Sequence, residues 1–408
     1  MKQLTTKQNM LWNSIGCLIY QACQWGITVA VVLFSSDYEN SGYLAYAMAI
    51  GNIFNPLATY NMRTIQVSDV EDEISPNVYI GFRIVTVCLA FLLMLGYLCL
   101  TASSIALVVV SLCWLVFKAD EAFCSVYYAM DQKGKRMDYI GISQGVRGAL
   151  SIAAFSCILF VLNDIYLAIL SMSAACIAVT VFYDCRKARL FSSVNPVITF
   201  RSALFLGKTY FPAVVTLVCY GAVVSVARQV FEGEYGAEAL GIYAAVATPT
   251  VLVQVAATYL YNPLLTGISK HWIKKDIRAF AKSVGSVALA IVIVSCAAFV
   301  VAGMVGESTL VFIFGETIRE YAYLLIPALA ATAATTLFAF FFDILICMRC
   351  FSGALAGNLS ALACAVVLSG FLVKIYYMNG INVAILLSFS IGIIIELIFL
   401  VRKIRMLR

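Results

Sequence analysis

Long apolar runs follow one another along nearly the whole chain, from Met10 to Val401, with short polar connections between them. An α-helix needs about 20 apolar residues to cross the hydrocarbon core of a bilayer, whereas a membrane barrel strand alternates polar and apolar residues over about 10 positions. The runs here are longer and nearly continuous. The pattern therefore predicts an all-α integral membrane protein of about twelve transmembrane helices. The predicted spans are 10–34, 43–60, 78–100, 103–128, 139–162, 165–183, 203–228, 240–264, 280–304, 321–346, 351–375 and 382–401.

Composition excludes a soluble fold. Hydrophobic residues make up 63% of the chain and charged residues 12%, against roughly 45–50% and about 25% in soluble globular domains. A soluble domain of this size has no interior large enough to bury so much apolar surface. The first apolar run is interrupted by Asn13, Gln21 and Gln24 and has no small-residue cleavage pattern after it, so we expect a retained span and not a signal peptide.

Basic residues are concentrated in every second connection between the predicted spans. This bias of Lys and Arg marks the cytoplasmic side of a membrane protein, so the sequence predicts that both termini are cytoplasmic. The net charge of +6 then follows from topology, and we expect no nucleic-acid partner. The basic connections carry Lys2, Lys7, Arg63, Lys133, Lys135, Arg136, Arg186, Lys187, Arg189, Arg201, Lys270, Lys274, Lys275, Arg278, Arg349, Arg402, Lys403, Arg405 and Arg408.

A short pattern recurs in the second and eighth predicted spans at the same spacing. The second span contains Gly42-Tyr-Leu-Ala45 and ends with Ala58-Thr59-Tyr60, and the eighth contains Gly241-Ile-Tyr-Ala244 and Ala257-Thr258-Tyr259. Two halves that each have an even number of spans are parallel repeats, related by an axis along the membrane normal. The predicted units are an N-terminal six-helix bundle at 1–183, a cytoplasmic linker at 184–202 and a C-terminal six-helix bundle at 203–408.

Several predicted spans carry polar side chains along one face, at the three- and four-residue spacing of helical neighbours. Gln24 lies on such a face of the first span, and Gln254 lies on one of the eighth, between Thr250 and Thr258. These stripes have two interpretations. They form hydrogen bonds between helices, worth about 0.6 kcal/mol each on average, or they line a wet cavity that accepts sugars.

Charged residues inside predicted spans are a stronger signal, because each costs at least about 2.5–3.5 kcal/mol at the middle of a membrane. The fourth span carries Lys118, Asp120 and Glu121, and the fifth carries Arg147. Glu121 and Arg147 lie at similar depths, so we expect these charges to meet. Lys118 and Glu121 are also helical neighbours. The cluster is either a self-satisfied structural group or a positive site for an anionic headgroup, since the fork of arginine suits phosphate.

Further charged side chains lie in the later spans. Lys208 and Arg228 lie near the two ends of the seventh span. The first expectation is that Arg228 extends to the membrane surface or pairs with Glu232, and the alternative is that both cations mark the two mouths of an anion pathway. Asp343 lies near the predicted inner end of the tenth span, and Glu396 near that of the twelfth. An arginine follows each acid within two turns, so structural pairing is the first expectation. A coupling-ion site at Asp343 is the alternative.

Signatures of catalysis and of cofactor binding are absent from the sequence. Most of the 14 cysteines lie inside apolar segments, and the single histidine, His271, lies in a basic loop, so we expect no metal site and no cofactor. Gly207-Lys208-Thr209 mimics the end of a phosphate-binding loop, but the upstream glycine of that motif is replaced by Ser202. We therefore expect a transporter and not an enzyme.

Three segments carry a family resemblance. They are Asn61 to Asp69 with Tyr79 and Arg83, Arg136 to Gly141 with Arg147 and Gly148, and Gly241-Ile-Tyr through Thr248-Pro249 to Asn262-Pro263-Leu264. With these segments the chain resembles the polysaccharide-biosynthesis flippases of the multidrug/oligosaccharidyl-lipid/polysaccharide exporter superfamily, over most of its length. The resemblance implies a MATE-like fold of twelve spans in two six-helix bundles around a V-shaped central cavity. It carries over Arg63, Gln66, Asp69, Arg83 and Arg147.

The resemblance also implies an activity. It is movement of undecaprenyl-pyrophosphate-linked oligosaccharide, such as an O-antigen or capsular repeat unit, from the cytoplasmic to the outer leaflet of the bacterial inner membrane by alternating access. Lipid-linked oligosaccharide and membrane lipid are the expected partners, with a polysaccharide polymerase and a chain-length regulator as candidates. Two alternatives stay open: a cation-coupled multidrug antiporter of the same superfamily, and a non-transporting membrane protein of polysaccharide assembly.

The candidate site residues fall into three groups. Those for substrate binding are Arg147, Lys118, Arg228, Lys208, Arg83, Gln24 and Gln254. Those for gating are Arg63, Gln66 and Asp69. Those for charge pairing or ion coupling are Asp120, Glu121 and Asp343.

Overall fold

The computed structural model describes residues 4–69 and 74–406, and every regular element within them is helical. The prediction of an all-α fold is confirmed. A π-helical turn, Thr180–Asp184, joins α7 to α8, and a 3-10 segment, Glu316–Leu324, precedes α12. The α-helices are α1 Thr6–Phe34, α2 Glu39–Thr59, α3 Met62–Ser68, α4 Pro76–Thr101, α5 Ile105–Lys133, α6 Met137–Leu162, α7 Ile165–Val179, α8 Cys185–Ala188, α9 Phe200–Ala247, α10 Thr250–Ile273, α11 Ile277–Phe314, α12 Leu325–Cys347, α13 Phe351–Tyr376 and α14 Met378–Arg405.

Within the described residues, nine helical segments are long and apolar enough to cross a membrane. Three of the long helices in the described residues are not among these nine, namely α2, α5 and α10, which have 21, 29 and 24 residues. They correspond mainly to the second, fourth and eighth predicted spans. These three helices carry polar or charged side chains that interrupt their apolar character. The chain is a multi-pass membrane protein.

The chain forms two compact units, Met1–Val218 and Cys219–Arg408. The division lies inside α9, whereas the sequence places a linker at 184–202. Helical structure also continues through the π-helical turn and α8 as far as Ala188, beyond the predicted end of the sixth span at 183. Within the predicted linker, the part without helix runs from 189 to 199.

Each unit has its own apolar core. In the first unit, Trp114, Phe117 and Phe155 are buried at the centre of a cluster of apolar side chains. In the second unit, Phe280 and Phe340 are buried in a separate cluster of apolar side chains. These packed side chains fix the helices that present the polar groups described below.

Two backbone breaks interrupt the helices. Tyr60 and Asn61 have left-handed φ angles of 50° and 52°, which end α2 and start α3 in a new direction. Gly236 interrupts α9 with φ 82° and ψ 172°, a conformation that is essentially restricted to glycine. The first break positions the predicted gate segment, because Arg63, Gln66 and Asp69 follow it directly.

Candidate binding site in the first unit

Arg147 lies in α6 inside the first unit and is 2% exposed. Its Nη2 donates to Asp120 Oδ2 at 2.5 Å, and its Nη1 donates to Thr180 Oγ1 at 2.6 Å. The same Nη1 donates to the Cys176 carbonyl at 3.2 Å and lies 3.9 Å from the Asp184 carboxylate. The guanidinium therefore joins α5, α6, the end of α7 and the π-helical turn.

The π-helical turn brings Thr180 and Asp184 to Arg147. Such a turn closes its hydrogen bonds over one residue more than an α-helix does, so it rotates the side chains that follow it relative to the preceding helix. Both residues are buried. Single π-helical turns inside α-helices occur frequently at functional sites, which marks this turn as part of the candidate site.

Asp120 and Glu121 are neighbours in sequence but belong to two separate ion groups. Successive residues of an α-helix point about 100° apart, so Asp120 faces Arg147 while Glu121 faces elsewhere. Lys118 Nζ lies 2.5 Å from Glu121 Oε2, and the Tyr20 hydroxyl donates to Glu121 Oε1. The predicted contact of Lys118 with Glu121 is confirmed, whereas Arg147 contacts Asp120 in place of Glu121.

The two ion groups contain more carboxylates than cations. Lys118 and Arg147 face three acids, namely Asp120, Glu121 and Asp184. Carboxylates therefore neutralise the positive site that the sequence suggests for an anionic headgroup. An anion that binds Arg147 must displace a carboxylate from it, because a buried cation without a partner is strongly unfavourable.

A cavity of about 440 Å³ lies between α4, α5 and the α7–α8 segment and reaches Asp120 and Thr180. This volume falls in the range of about 300–1,000 Å³ that is usual for ligand pockets. Its walls are mostly apolar and include Phe91, Phe123 and Tyr127. Two partners of Arg147 thus form part of the wall of a pocket in the first unit.

The two glutamines of the predicted polar stripes form hydrogen bonds between helices. Gln24 Nε2 donates to Ser151 Oγ at 3.4 Å and joins α1 to α6. Gln254 Nε2 donates to Tyr220 Oη at 3.3 Å and joins α10 to α9. Both side chains are half-buried. These contacts favour the packing interpretation of the stripes.

Arg83 has no exposed surface and forms no ion pair with any residue that the structure describes. Its Nη1 donates to the Ala58 carbonyl at 2.5 Å, and its Nη2 donates to Ser125 Oγ at 3.3 Å. The Thr86 hydroxyl donates to the same carbonyl at 2.8 Å. That carbonyl lacks a helical partner because α2 ends one residue later. The sequence suggests that Arg83 contacts substrate, whereas the structure shows it capping α2.

Two of the three predicted gate residues form hydrogen bonds to neighbouring helices. Arg63 Nη2 donates to Gln132 Oε1 at 3.2 Å and joins α3 to the end of α5. The Asp69 carboxylate accepts from the Tyr79 hydroxyl at 3.2 Å and joins the end of α3 to α4. Gln66 is 1% exposed, and its amide has no hydrogen-bond partner among the described residues.

A second motif of the family resemblance shapes the connection between α5 and α6. Arg136 and Asp138 form an ion pair at 2.7 Å, and the Arg136 guanidinium lies 4.1 Å from the centre of the Tyr139 ring. The hydrogen bond from Arg136 to Asp138 raises the pKa of Arg136 above its ordinary value. These contacts fix the start of α6, the helix that carries Arg147.

The charged residues of the later spans have different surroundings. Lys208 is exposed on α9, and Arg228 is half-buried with no hydrogen-bond partner for its Nε among the described residues. Asp343 accepts from the Tyr261 hydroxyl at 3.0 Å. Glu396 is fully buried, and neither carboxylate oxygen has a partner in the described part of the chain. The expected pairing of both acids with the arginines that follow them is not observed there.

Sequence reasoning missed two partners of Arg147. Asp184 falls in the predicted linker, and Thr180 falls in a span that shows no other polar stripe. A signal was available, because the two residues are four apart and therefore lie on nearly the same helix face. A polar pair that continues an apolar span is a sign that the helix does not end there.

The chain is similar in sequence to a capsular polysaccharide biosynthesis protein. No family model matches the chain. The chain is 22% identical over 325 residues to CapF, a capsular polysaccharide biosynthesis protein of Staphylococcus aureus. The match covers 78% of this chain and 80% of that protein. This identity is too low to place the chain in a family.

Solved structures of transporters share the fold over nearly the whole chain. The lipid II flippase MurJ, in an inward closed conformation, matches with TM-score 0.74 and 11% identity over 97% of this chain and 90% of that one. An inward-facing multidrug resistance MATE transporter of the MOP superfamily matches with TM-score 0.70 and 9% identity over 97% and 98%. The Vibrio cholerae MATE transporter VcmN matches with TM-score 0.62 and 14% identity over 98% and 96%. The chain thus has the fold of these transporters, and none of the three is an enzyme.

Proposed function

We propose that this protein moves undecaprenyl-pyrophosphate-linked oligosaccharide across the bacterial inner membrane. Movement is from the cytoplasmic to the outer leaflet, by alternating access. The observation that carries the proposal is the likeness of its fold to the lipid II flippase over 97% of this chain and 90% of that one. The sequence likeness to a capsular polysaccharide biosynthesis protein supports an O-antigen or capsular repeat unit as cargo. The basic connections support cytoplasmic termini.

Arg147 is the proposed contact for the pyrophosphate. Its Nη2 donates to Asp120, which also lines the apolar cavity of the first unit. A phosphate oxygen accepts the same charge-assisted hydrogen bond as a carboxylate oxygen, and the guanidinium fork suits two such bonds. When substrate binds, its phosphate therefore replaces the Asp120 carboxylate as the partner of Arg147.

The test measures which leaflet holds the lipid-linked oligosaccharide in a strain that lacks this protein. We expect the precursor to accumulate on the cytoplasmic leaflet, and wild-type protein to relieve the accumulation. Arg147→Ala should not relieve it. Lys274→Ala is the matched control, because Lys274 is an exposed cation at the end of α10. A normal leaflet distribution in the deletion strain contradicts the proposal.

A second function is a multidrug antiporter for organic cations. The observation that favours it is the excess of carboxylates around Arg147, together with the aromatic cavity wall at Phe91, Phe123 and Tyr127. Aromatic faces and carboxylates attract cations. Under this function the deletion strain has a normal leaflet distribution and becomes sensitive to cationic drugs. Asp120→Asn should then fail to restore resistance.

A further inference from the structure

One face of α5 carries polar side chains over three turns. Asp120, Cys124, Tyr128 and Asp131 follow one another at intervals of four, four and three residues, which places them on one side of the helix. Each is less than a tenth exposed. Buried positions of a membrane helix are usually apolar or small, so a polar face of this length is costly unless it has a role.

Hydrogen bonds connect most of this face to the neighbouring elements. Cys124 Sγ donates to Asp184 Oδ2 at 3.0 Å, and the Tyr128 and Ser143 hydroxyls are hydrogen-bonded at 2.8 Å. Both Ser143 and Asp184 are fully or almost fully buried. The polar groups therefore run inside the first unit from Asp120, beside Arg147, to Asp131, near the end of α5.

The two acids of this path have unused oxygens. Asp131 is 1% exposed, and neither of its oxygens has a hydrogen-bond partner among the described residues. Asp184 is also 1% exposed, and its Oδ1 is likewise without a partner in the described part of the chain. A buried carboxylate without partners is strongly disfavoured unless it holds a proton or a cation. Asp131, with no partner for either oxygen, and Asp184, with one free oxygen, are thus suited to take up and release a proton.

Charged groups surround both acids. Asp184 faces Arg147 on α6 and Asp120 on α5, beside the Cys124 thiol and the Ser143 hydroxyl. The charged groups near Asp131 include Asp184 in the π-helical turn, Asp138 and Arg136 at the start of α6, Lys187 on α8 and Arg63 on α3. The two acids are also within electrostatic range of each other. A proton on either one relieves a repulsion between two buried carboxylates.

We propose that this face of α5 carries protons between Asp131 and Asp184, and that proton uptake at Asp184 reduces the negative charge around Arg147, so that an anion can displace Asp120 from it. The inference rests on the proposed flippase function and names the proton as its coupling ion. Asp131 is 1% exposed, so it takes up a proton when the end of α5 opens to water. The Tyr128 and Ser143 hydroxyls each accept one proton and give up another, so they return unchanged.

At the end of the path the proton neutralises Asp184. Arg147 keeps its charge and loses one of its two carboxylate neighbours, so the guanidinium gains attraction for a phosphate. The proton leaves Asp184 when an anion no longer occupies Arg147. No oxidant, reductant or covalent change is needed.

The test reconstitutes the full chain in liposomes with a fluorescent polyprenyl-pyrophosphate-linked sugar and measures flipping with and without a pH gradient. In the wild type, the gradient should raise the flipping rate. Asp131→Asn and Tyr128→Phe should lose this increase and keep flipping without a gradient. Asp276→Asn is the matched control, because Asp276 is exposed and asparagine still caps α11. An increase that survives in Asp131→Asn and Tyr128→Phe would overturn the pathway.

A second measurement does not depend on transport. Infrared difference spectra of the purified protein between neutral and acidic buffer report the carbonyl band of protonated carboxylic acids. Part of this band should disappear in Asp184→Asn and in Asp131→Asn. Identical spectra in the wild type and both variants would overturn the proton sites. Absence of flipping in the wild type, with the infrared change present, would instead count against the proposed cargo.

Discussion

The backbones of α1 and α6 meet at Gly16 and Gly141, where a Cβ atom added to either glycine would overlap the backbone of the opposite helix. Small residues at such crossings let membrane helices approach closely enough for van der Waals packing and interhelical hydrogen bonds. The crossing lies two turns from Arg147 on α6. It therefore sets how α6 presents the guanidinium to the rest of the first unit.

Gly141→Ala should destabilise the first unit by about 1–3 kcal/mol, which is the usual cost of overpacking a well-packed core. The added methyl would overlap the carbonyl oxygen of Trp12, so the two helices must separate. Thermal unfolding of the purified protein measures the effect. Gly145→Ala is the matched control, since nothing lies within 4 Å of a Cβ added one turn later. Equal stability of the two variants would mean that the crossing is not tight.

Arg147→Ala should lower stability as well as export. Its removal leaves Asp120 and Asp184 buried without a cation, and breaking a buried ion pair costs about 3–5 kcal/mol. Asp120→Asn in the same chain should recover part of the lost stability but none of the export. Arg147→Lys should lose less of both, because it keeps the charge. Export and thermal unfolding are measured side by side. Stability that stays normal in Arg147→Ala would contradict the paired arrangement.

Arg83→Ala should destabilise the protein without changing its affinity for substrate. The variant leaves the Ala58 carbonyl to Thr86 alone, and a buried hydrogen bond to a charged group contributes about 1.5–3 kcal/mol. Arg83→Lys should recover part of the stability, because it restores one donor. Unfolding temperature and substrate binding are compared in the three proteins. Normal stability together with weakened substrate binding in Arg83→Ala would show that Arg83 contacts substrate.

Gly236→Ala should destabilise the protein by about 1–3 kcal/mol, because an alanine is strained at the φ and ψ of this residue. Gly233→Ala, one turn earlier in α9, meets no atom within 4 Å of its new Cβ. It should therefore be neutral or stabilising by up to about 1 kcal/mol, since alanine favours a helix. Thermal unfolding of Gly236→Ala and of Gly233→Ala measures the difference in stability. Equal effects of the two substitutions would show that α9 is not broken at Gly236.

The helices could be predicted from the sequence because apolar runs and basic connections are strong, repeated signals. The partners of individual charges could not. Depth along a helix places Arg147 level with both Asp120 and Glu121, but only the rotation of α5 decides which of them faces it. The contact of Asp184 with Arg147 could not be predicted either, because a π-helical turn extends α7 past the apparent end of its apolar run.

Arg83 shows a second limit of sequence reasoning. An arginine inside a span has the same sequence signal whether it binds a ligand or caps a helix. Its target, the Ala58 carbonyl, becomes available only because the backbone turns left-handed at Tyr60 and Asn61. Neither residue is a glycine, so the sequence gives little warning of the break. Such roles depend on backbone geometry that only the structure reveals.

The charges of α5 also constrain how the protein is made. The ribosome releases α5 before α6, so Asp120 leaves the exit tunnel while Arg147 is still inside it. A lone α5 with Lys118, Asp120 and Glu121 would enter lipid at a cost that a single helix does not recover. Helix α5 is therefore expected to wait beside the insertion machinery until α6 supplies its counter-charge. The two helices should then partition into the membrane together, as one hairpin.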